Sequence, residues 1–195
     1  MALFELLESE TMKKICDGEW TRCSRGRAAT AIVVFVALIS ACAGYSGSNL
    51  KPGESRLPEV IASMGEPAMR WNDPDGRVQL AYPRGPMGTQ TFMVIMGADG
   101  RLQRIEKVLD MEHFGRIEHG KSDQAAVLRV LGPSPLSPTY FKARDELVWE
   151  WRFCDSWNQV AFFGVLFDGT TGLVRSTYQR PDYSGWDGTT PSCGH

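Results

Sequence analysis

Hydrophobic positions along this chain follow three patterns with different periods. The first is an unbroken run, Ala28–Cys42, which carries no charge and only Thr30 and Ser40 as polar side chains before the cysteine. It is short of the about 20 apolar residues that span a bilayer. It has the length of a secretory-signal core. The second pattern is a helical stripe. Val60, Ile61 and Met64, and again Val127, Leu128 and Leu131, fall at i, i+1 and i+4, which places each trio on one helix face. Ser55 and Ser122 stand where a cap would accept first-turn amides. Gly65 and Gly132 suit the left-handed residue that ends a helix, and Pro67 and Pro133 block continuation. The third pattern is alternation. Val78, Leu80 and Tyr82, like Leu147, Trp149 and Trp151, point to one face of a strand. Apolar strands follow at Phe92–Met96 and Phe163–Phe167, then closing strands near Leu102–Val108 and Leu173–Tyr178. Asp99-Gly100 and Asp168-Gly169 read as tight turns, and Arg84–Gly88 as a looser connection. The expected fold is α+β: two tandem repeats, each a short helical segment packed on a three-stranded antiparallel meander.

The repeat is written in the residues. Leu50, Gly53, Ser55, Val60, Ile61, Met64 and Gly65 match Ile117, Gly120, Ser122, Val127, Leu128, Leu131 and Gly132 at a constant offset of 67. The expected organisation is a leader over 1–41, a Gly/Ser-rich tether over 42–49, repeats over 50–112 and 113–180, and an irregular tail over 181–195. In that tail Trp186 either folds back onto the domain or leaves with a mobile end.

Taken alone, the apolar run also fits an ordinary signal peptide, or a buried helix with a chance cysteine. Its end, Ile39-Ser40-Ala41-Cys42, resembles the lipobox of bacterial lipoproteins, an aliphatic residue and two small ones before cysteine. The resemblance implies cleavage before Cys42 and acylation of its sulfur. Ala43 stands where an aspartate would retain such a protein in the inner membrane, which implies sorting to the outer membrane. The basic region of the signal starts late. Residues 1–11 carry three acids and no base, whereas residues 12–27 carry five bases against two acids, so Met12 is a candidate start. The two repeats, Leu50-x-x-Gly53-x-Ser55…Met64-Gly65-x-Pro67 and Ile117-x-x-Gly120-x-Ser122…Leu131-Gly132-Pro133, resemble the SmpA/OmlA (BamE) lipoprotein domain. They also resemble the related repeat of β-lactamase inhibitor proteins, which likewise occurs twice. The resemblance implies a periplasm-facing lipoprotein, anchored in the outer membrane, that binds or scaffolds a protein in envelope assembly. The alternative it implies is a module that inhibits or regulates an enzyme. Matching positions of this kind support fold more than function.

Charge and composition narrow the chemistry further. From Cys42 onward there are sixteen bases and eighteen acids, a balance that disfavours a general nucleic-acid surface. Cys16 and Cys23 lie in the leader and Cys42 is the lipid site, leaving Cys154 and Cys193 as a disulfide pair in an oxidising compartment, or as two free thiols. His113 and His119 are six apart, the wrong spacing for a helical zinc pair, and His195 beside Cys193 is a weak donor set. Asp145, Glu146 and Glu150 read as strand-end carboxylates. No nucleophile–base motif or phosphate loop stands out, so neither enzyme activity nor a metal or cofactor is expected. Trp149, Trp151 and Trp157 are assigned either to core packing or to a binding face.

Overall fold

The computed structural model describes residues 46–193 apart from Pro86, which fall in the second of the chain's two units, Gly44–His195. The leader, the cleavage motif Ile39–Cys42, Ala43–Tyr45 and Gly194–His195 therefore lie outside the described residues. The second unit begins with helix α1 (Leu57–Met64). Four antiparallel strands follow in chain order: β1 (Met69–Asn72), β2 (Val78–Pro83), β3 (Thr91–Met96) and β4 (Leu102–Lys107). The chain then passes through the one-turn helix α2 (Met111–Phe114) into helix α3 (Gln124–Leu131). A second four-stranded antiparallel sheet follows: β5 (Thr139–Phe141), β6 (Glu146–Cys154), β7 (Val160–Asp168) and β8 (Val174–Pro181). The architecture is α+β with two four-stranded sheets.

Each meander has one strand more than the expected three. The additional strands, β1 and β5, are short edges that pair only with β2 and β6. β1 is four residues with alternating half-buried and exposed positions, and β5 is three residues, all exposed. Neither buries enough apolar surface to leave a period in the sequence. Their hydrogen bonds come from a neighbour that was already a strand.

The two halves repeat their local bonding. The Ser55 hydroxyl accepts from the Lys51 amide at 3.0 Å, and the Ser122 hydroxyl from the Glu118 amide at 2.9 Å. These serines close the loop before the helix instead of capping it. The helix caps are one residue later. The Glu59 carboxylate accepts from the Arg56 amide at 2.9 Å, and Asp123 accepts from the Ala126 amide at 2.7 Å. The same loops pair with the outer edge of each sheet. Gly53 N–H donates to Leu102 O and Leu102 N–H to Ser55 O, both 2.8 Å. Gly120 N–H donates to Val174 O and Val174 N–H to Ser122 O, also 2.8 Å. The Gly-x-Ser motif thus covers an edge that would otherwise stand open.

Helix ends repeat as well. Gly65 (φ 81°, ψ −171°) and Gly132 (φ 75°, ψ 178°) have positive φ, but with extended ψ. That is the region almost reserved for glycine, not the left-handed helical one expected. The Gly65 carbonyl accepts from the Tyr82 hydroxyl, and the Gly132 carbonyl from the Trp151 indole N–H, each at 3.2 Å. Both aromatic rings are fully buried.

Packing then separates the halves. Val60 and Met64 of α1 cover Leu80, Tyr82, Val94 and Met96 on one face of the first sheet. Val127 and Leu131 of α3 join Trp151, Phe163, Val165 and Phe167 on the second sheet. The end of α3 also meets the free face of the first sheet. A Cβ on Gly132 would lie 3.0 Å from Thr91, 3.3 Å from Ala81 and 3.3 Å from Met93. Gln79 donates to the Arg129 carbonyl at 2.7 Å, and Arg129 pairs with Asp73 at 2.6 Å over the Trp71 ring. The order of layers is α1, first sheet, α3, second sheet.

Alanine at Gly65 meets no atom within 4 Å, so it costs only the backbone penalty of about 1–3 kcal/mol. Alanine at Gly132 adds overpacking against the first sheet, about 1–3 kcal/mol more. Urea denaturation of both variants should show the larger midpoint shift for Gly132→Ala; equal shifts would contradict the shared-helix geometry.

Candidate functional site

The far end of the second sheet is built differently from the rest of the molecule. Strands β6 and β7 are joined by a turn in which the Asp155 carboxylate accepts from the Trp157 and Gln159 amides at 2.9 Å each. After β8 the chain leaves and returns across the same residue. Asp182 N–H donates to Val160 O at 3.0 Å, and Val160 N–H donates to Pro191 O at 2.8 Å. Residues 182–191 therefore form a loop pinned at both ends to Val160. Beyond it, Cys193 N–H donates to Asn158 O at 2.9 Å, and Cys193 is disulfide-bonded to Cys154 with 6.1 Å between the Cα atoms. The loop tip closes on itself through Gly185 N–H to Thr189 O at 3.0 Å. It presents Trp186 fully to solvent, with Tyr183 66 % exposed. Trp186 does not fold back onto the domain.

The base of this loop is ionic and buried. Arg152 pairs with Asp182, and the two are only 6 % and 5 % exposed. Arg152 also donates to the Met87 carbonyl of the β2–β3 loop at 3.3 Å, linking the two sheets. Burial pushes the Asp182 carboxyl up. Hydrogen bonds from Ser184 and the Arg152 guanidinium outweigh it and hold the group below the usual carboxylate value. On the same sheet face Arg180 stacks 4.0 Å from the Phe162 ring centroid and forks onto Glu150 at 2.8 and 3.0 Å. Burial raises the Glu150 carboxyl, but Arg180 and the Tyr178 hydroxyl bring it below its ordinary value. Tyr178 itself is pushed up to about 12, by burial first and by its bond to Glu150 second. Its ring lies over Gly164, where a Cβ would sit 2.2 Å from ring carbons, so only glycine admits it.

Beside the loop is a cleft of about 1100 Å³. Arg84 and Met87 of the β2–β3 loop line one side, Lys107 lies at the end of β4, and Arg152, Asn158 and Cys193 form the wall from the second sheet. Lys107 also lines a smaller groove of about 400 Å³ that begins at Ser46.

Of the two roles open to the tryptophans, Trp149 and Trp151 take core packing and Trp157 does not. Trp151 is fully buried, and Trp149 packs edge-on against Trp151 and Phe167, with ring centroids 6.2 and 4.8 Å apart. Only Trp157, 82 % exposed, is open to a partner, and it belongs to the stapled end. Alternation in β6 put Trp149 and Trp151 on one face correctly, but that face is the core. Arg152, Asp182, Arg84 and Lys107 were missed. The one signal was Arg152 inside the aromatic run Trp149-Glu150-Trp151-Arg152-Phe153, which needs a buried counter-charge. His113 bonds Asp110 at 2.7 Å and His119 approaches Thr177 at 3.5 Å. Among the described residues no cluster suits a metal. Compared with known proteins, the chain matches no family model, no curated relative and no solved structure.

The bridge closes 39 residues, worth about 4 kcal/mol by chain entropy before native strain is subtracted. Reduction should lower the urea midpoint and make the loop protease-sensitive; identical midpoints with and without reductant would contradict a stapling role.

Asp182 and Glu150 are both depressed in the folded state. The stabilisation they supply is complete at neutral pH and is lost as pH falls below 3.8 and 4.5 toward their folded values. Stability should hold from pH 7 to about 5 and fall below about 4. Asp182→Asn should flatten that acid limb in urea titrations, and an unchanged acid slope would discount the pair.

Proposed function

We propose that this chain is a bacterial outer-membrane lipoprotein whose periplasmic domain, two tandem BamE-like units, binds or scaffolds a protein in envelope assembly. Its role is non-enzymatic. The observation that carries the binding role is Trp186, fully exposed on a loop fixed at both ends by Val160, a buried ion pair and a disulfide. A fully exposed tryptophan gains nothing for the fold. Its loop has already lost the freedom that binding would otherwise remove, which favours an interface anchor. The anchor half of the reading is supported by the lipobox-like Ile39–Cys42 and by the Gly/Ser-rich stretch that follows it. The tandem half is supported by paired details: Ser55 with Ser122, Gly53 with Gly120, and Tyr82–Gly65 with Trp151–Gly132. A non-enzymatic role is consistent with its carboxylates. Asp145 is held by Tyr140 and Thr170, Glu146 by Arg144 and Arg175, and Glu150 by Arg180 and Tyr178.

A second reading is an inhibitory or regulatory module of the β-lactamase-inhibitor kind. The doubled unit and its projecting aromatic loop favour it. A photo-crosslinker in place of Trp186 separates the two in intact cells. Adducts with barrel-assembly components support scaffolding, adducts with a soluble periplasmic enzyme support inhibition, and no adduct from this position argues against both.

The anchor has its own test. Intact-protein mass spectrometry should find an acylated N-terminal Cys42, and Cys42→Ser should accumulate as unlipidated precursor. Acyl chains contribute about 0.8 kcal/mol per buried CH₂, so the native protein should pellet with membranes. An unmodified N-terminus elsewhere would end the lipoprotein reading.

A further inference from the structure

We infer that the cleft between the β2–β3 loop and the stapled segment is an oxyanion-binding site, taking the carboxylate or phosphate of a small ligand or of a peptide's C-terminus.

The first observation is charge. The whole chain has more acids than bases, 23 against 21, yet the described residues that line the cleft include Arg84, Lys107 and Arg152 and, among them, no aspartate or glutamate. Asp182, the partner of Arg152, lies outside the lining. Cations gathered in a concave, low-dielectric site focus a positive field well beyond their own contacts.

The second observation is polar groups left waiting. Arg152 is 6 % exposed, and its Nε has no partner among the described residues; neither has the buried side-chain oxygen of Gln90, which also lines the cleft. Buried polar atoms are normally satisfied, so two orphans on one cleft mark a place for a ligand or ordered water. Gln90's oxygen and nitrogen are interchangeable in orientation, and the flipped amide presents an NH₂ donor to an anion.

The third is rigidity and size. The wall from the second sheet is fixed by the Arg152–Asp182 pair and by the Cys154–Cys193 bridge, and the bond from Arg152 to the Met87 carbonyl ties the β2–β3 loop to it. A volume of about 1100 Å³ exceeds one free anion and suits a ligand that brings more than its charged group. Met87, 74 % exposed, offers an apolar contact at the mouth. This site stands independently of the lipid anchor and of the Trp186 loop's partner.

The test titrates the purified full chain at constant ionic strength and follows backbone amides by NMR. Inorganic phosphate is the first probe; a short peptide as free acid, and the same peptide amidated, form the second arm. Saturable shifts at Gln90, Asn158 and Ser192 are expected. Arg84→Gln and Lys107→Gln should each weaken binding about fivefold, as expected for one half-screened charge. Lys121→Gln, outside the cleft, should change nothing. Preference for the free acid over the amide assigns the site to a chain terminus, and preference for phosphate assigns it to a small oxyanion. Non-saturating shifts, or equal losses in all three variants, would overturn the inference. Arg152 stays unaltered throughout because its removal would strand Asp182 and unsettle the loop.

Discussion

Everything in this domain depends on one short helix that is held by both sheets. An eight-residue helix has no independent stability in water and exists only through what it packs on. Helix α3 gives Val127 and Leu131 to the second sheet and its glycine-terminated end to the first. Gly132 makes that possible twice over. Its conformation turns the chain sharply, and its missing side chain lets the backbone lie against Ala81 and Met93. Helix α1, with the same length and the same kind of ending, serves one sheet only. Two halves with matching local bonds therefore end up in different environments.

That asymmetry explains the second sheet. The first sheet has helices on both faces, and its strand β3 is buried at five of six positions. The second has a helix on one face alone. Its other face is covered by its own long side chains: Arg180 over Phe162, Tyr178 over Gly164, and Arg152 held beneath by Asp182. A buried ion pair is a costly way to fill space, and removing one partner typically costs about 3–5 kcal/mol. Here the pair does what an apolar contact could not, since it fixes the direction in which the chain leaves β8. The disulfide then holds the returning end. The order imposed on residues 182–191 is the physical link between this unfinished face and a proposed binding role.

The sequence alone determined the local units and their succession. Periodicity located both helices, because an apolar stripe at i, i+1 and i+4 is a statement about one face. Alternation located strands β2 and β6. The constant offset of 67 paired the halves, and glycine marked both helix ends. Those features come from contacts between near neighbours in the chain. Tertiary structure decided the rest. Edge strands β1 and β5 exist because a partner strand offers hydrogen bonds, not because their own residues demand extension. Ser55 and Ser122 closed loops instead of capping helices, since the Gly-x-Ser segment is recruited by a distant sheet edge. Trp149 and Trp151 went to the core and Trp186 to solvent, a choice that composition cannot make. The cleft joins Arg84 of the β2–β3 loop, Lys107 of β4 and Arg152 of β6, far apart in the chain. No spacing rule connects such residues; only the layering of one sheet, a shared helix and a second sheet brings their charges to the same cleft.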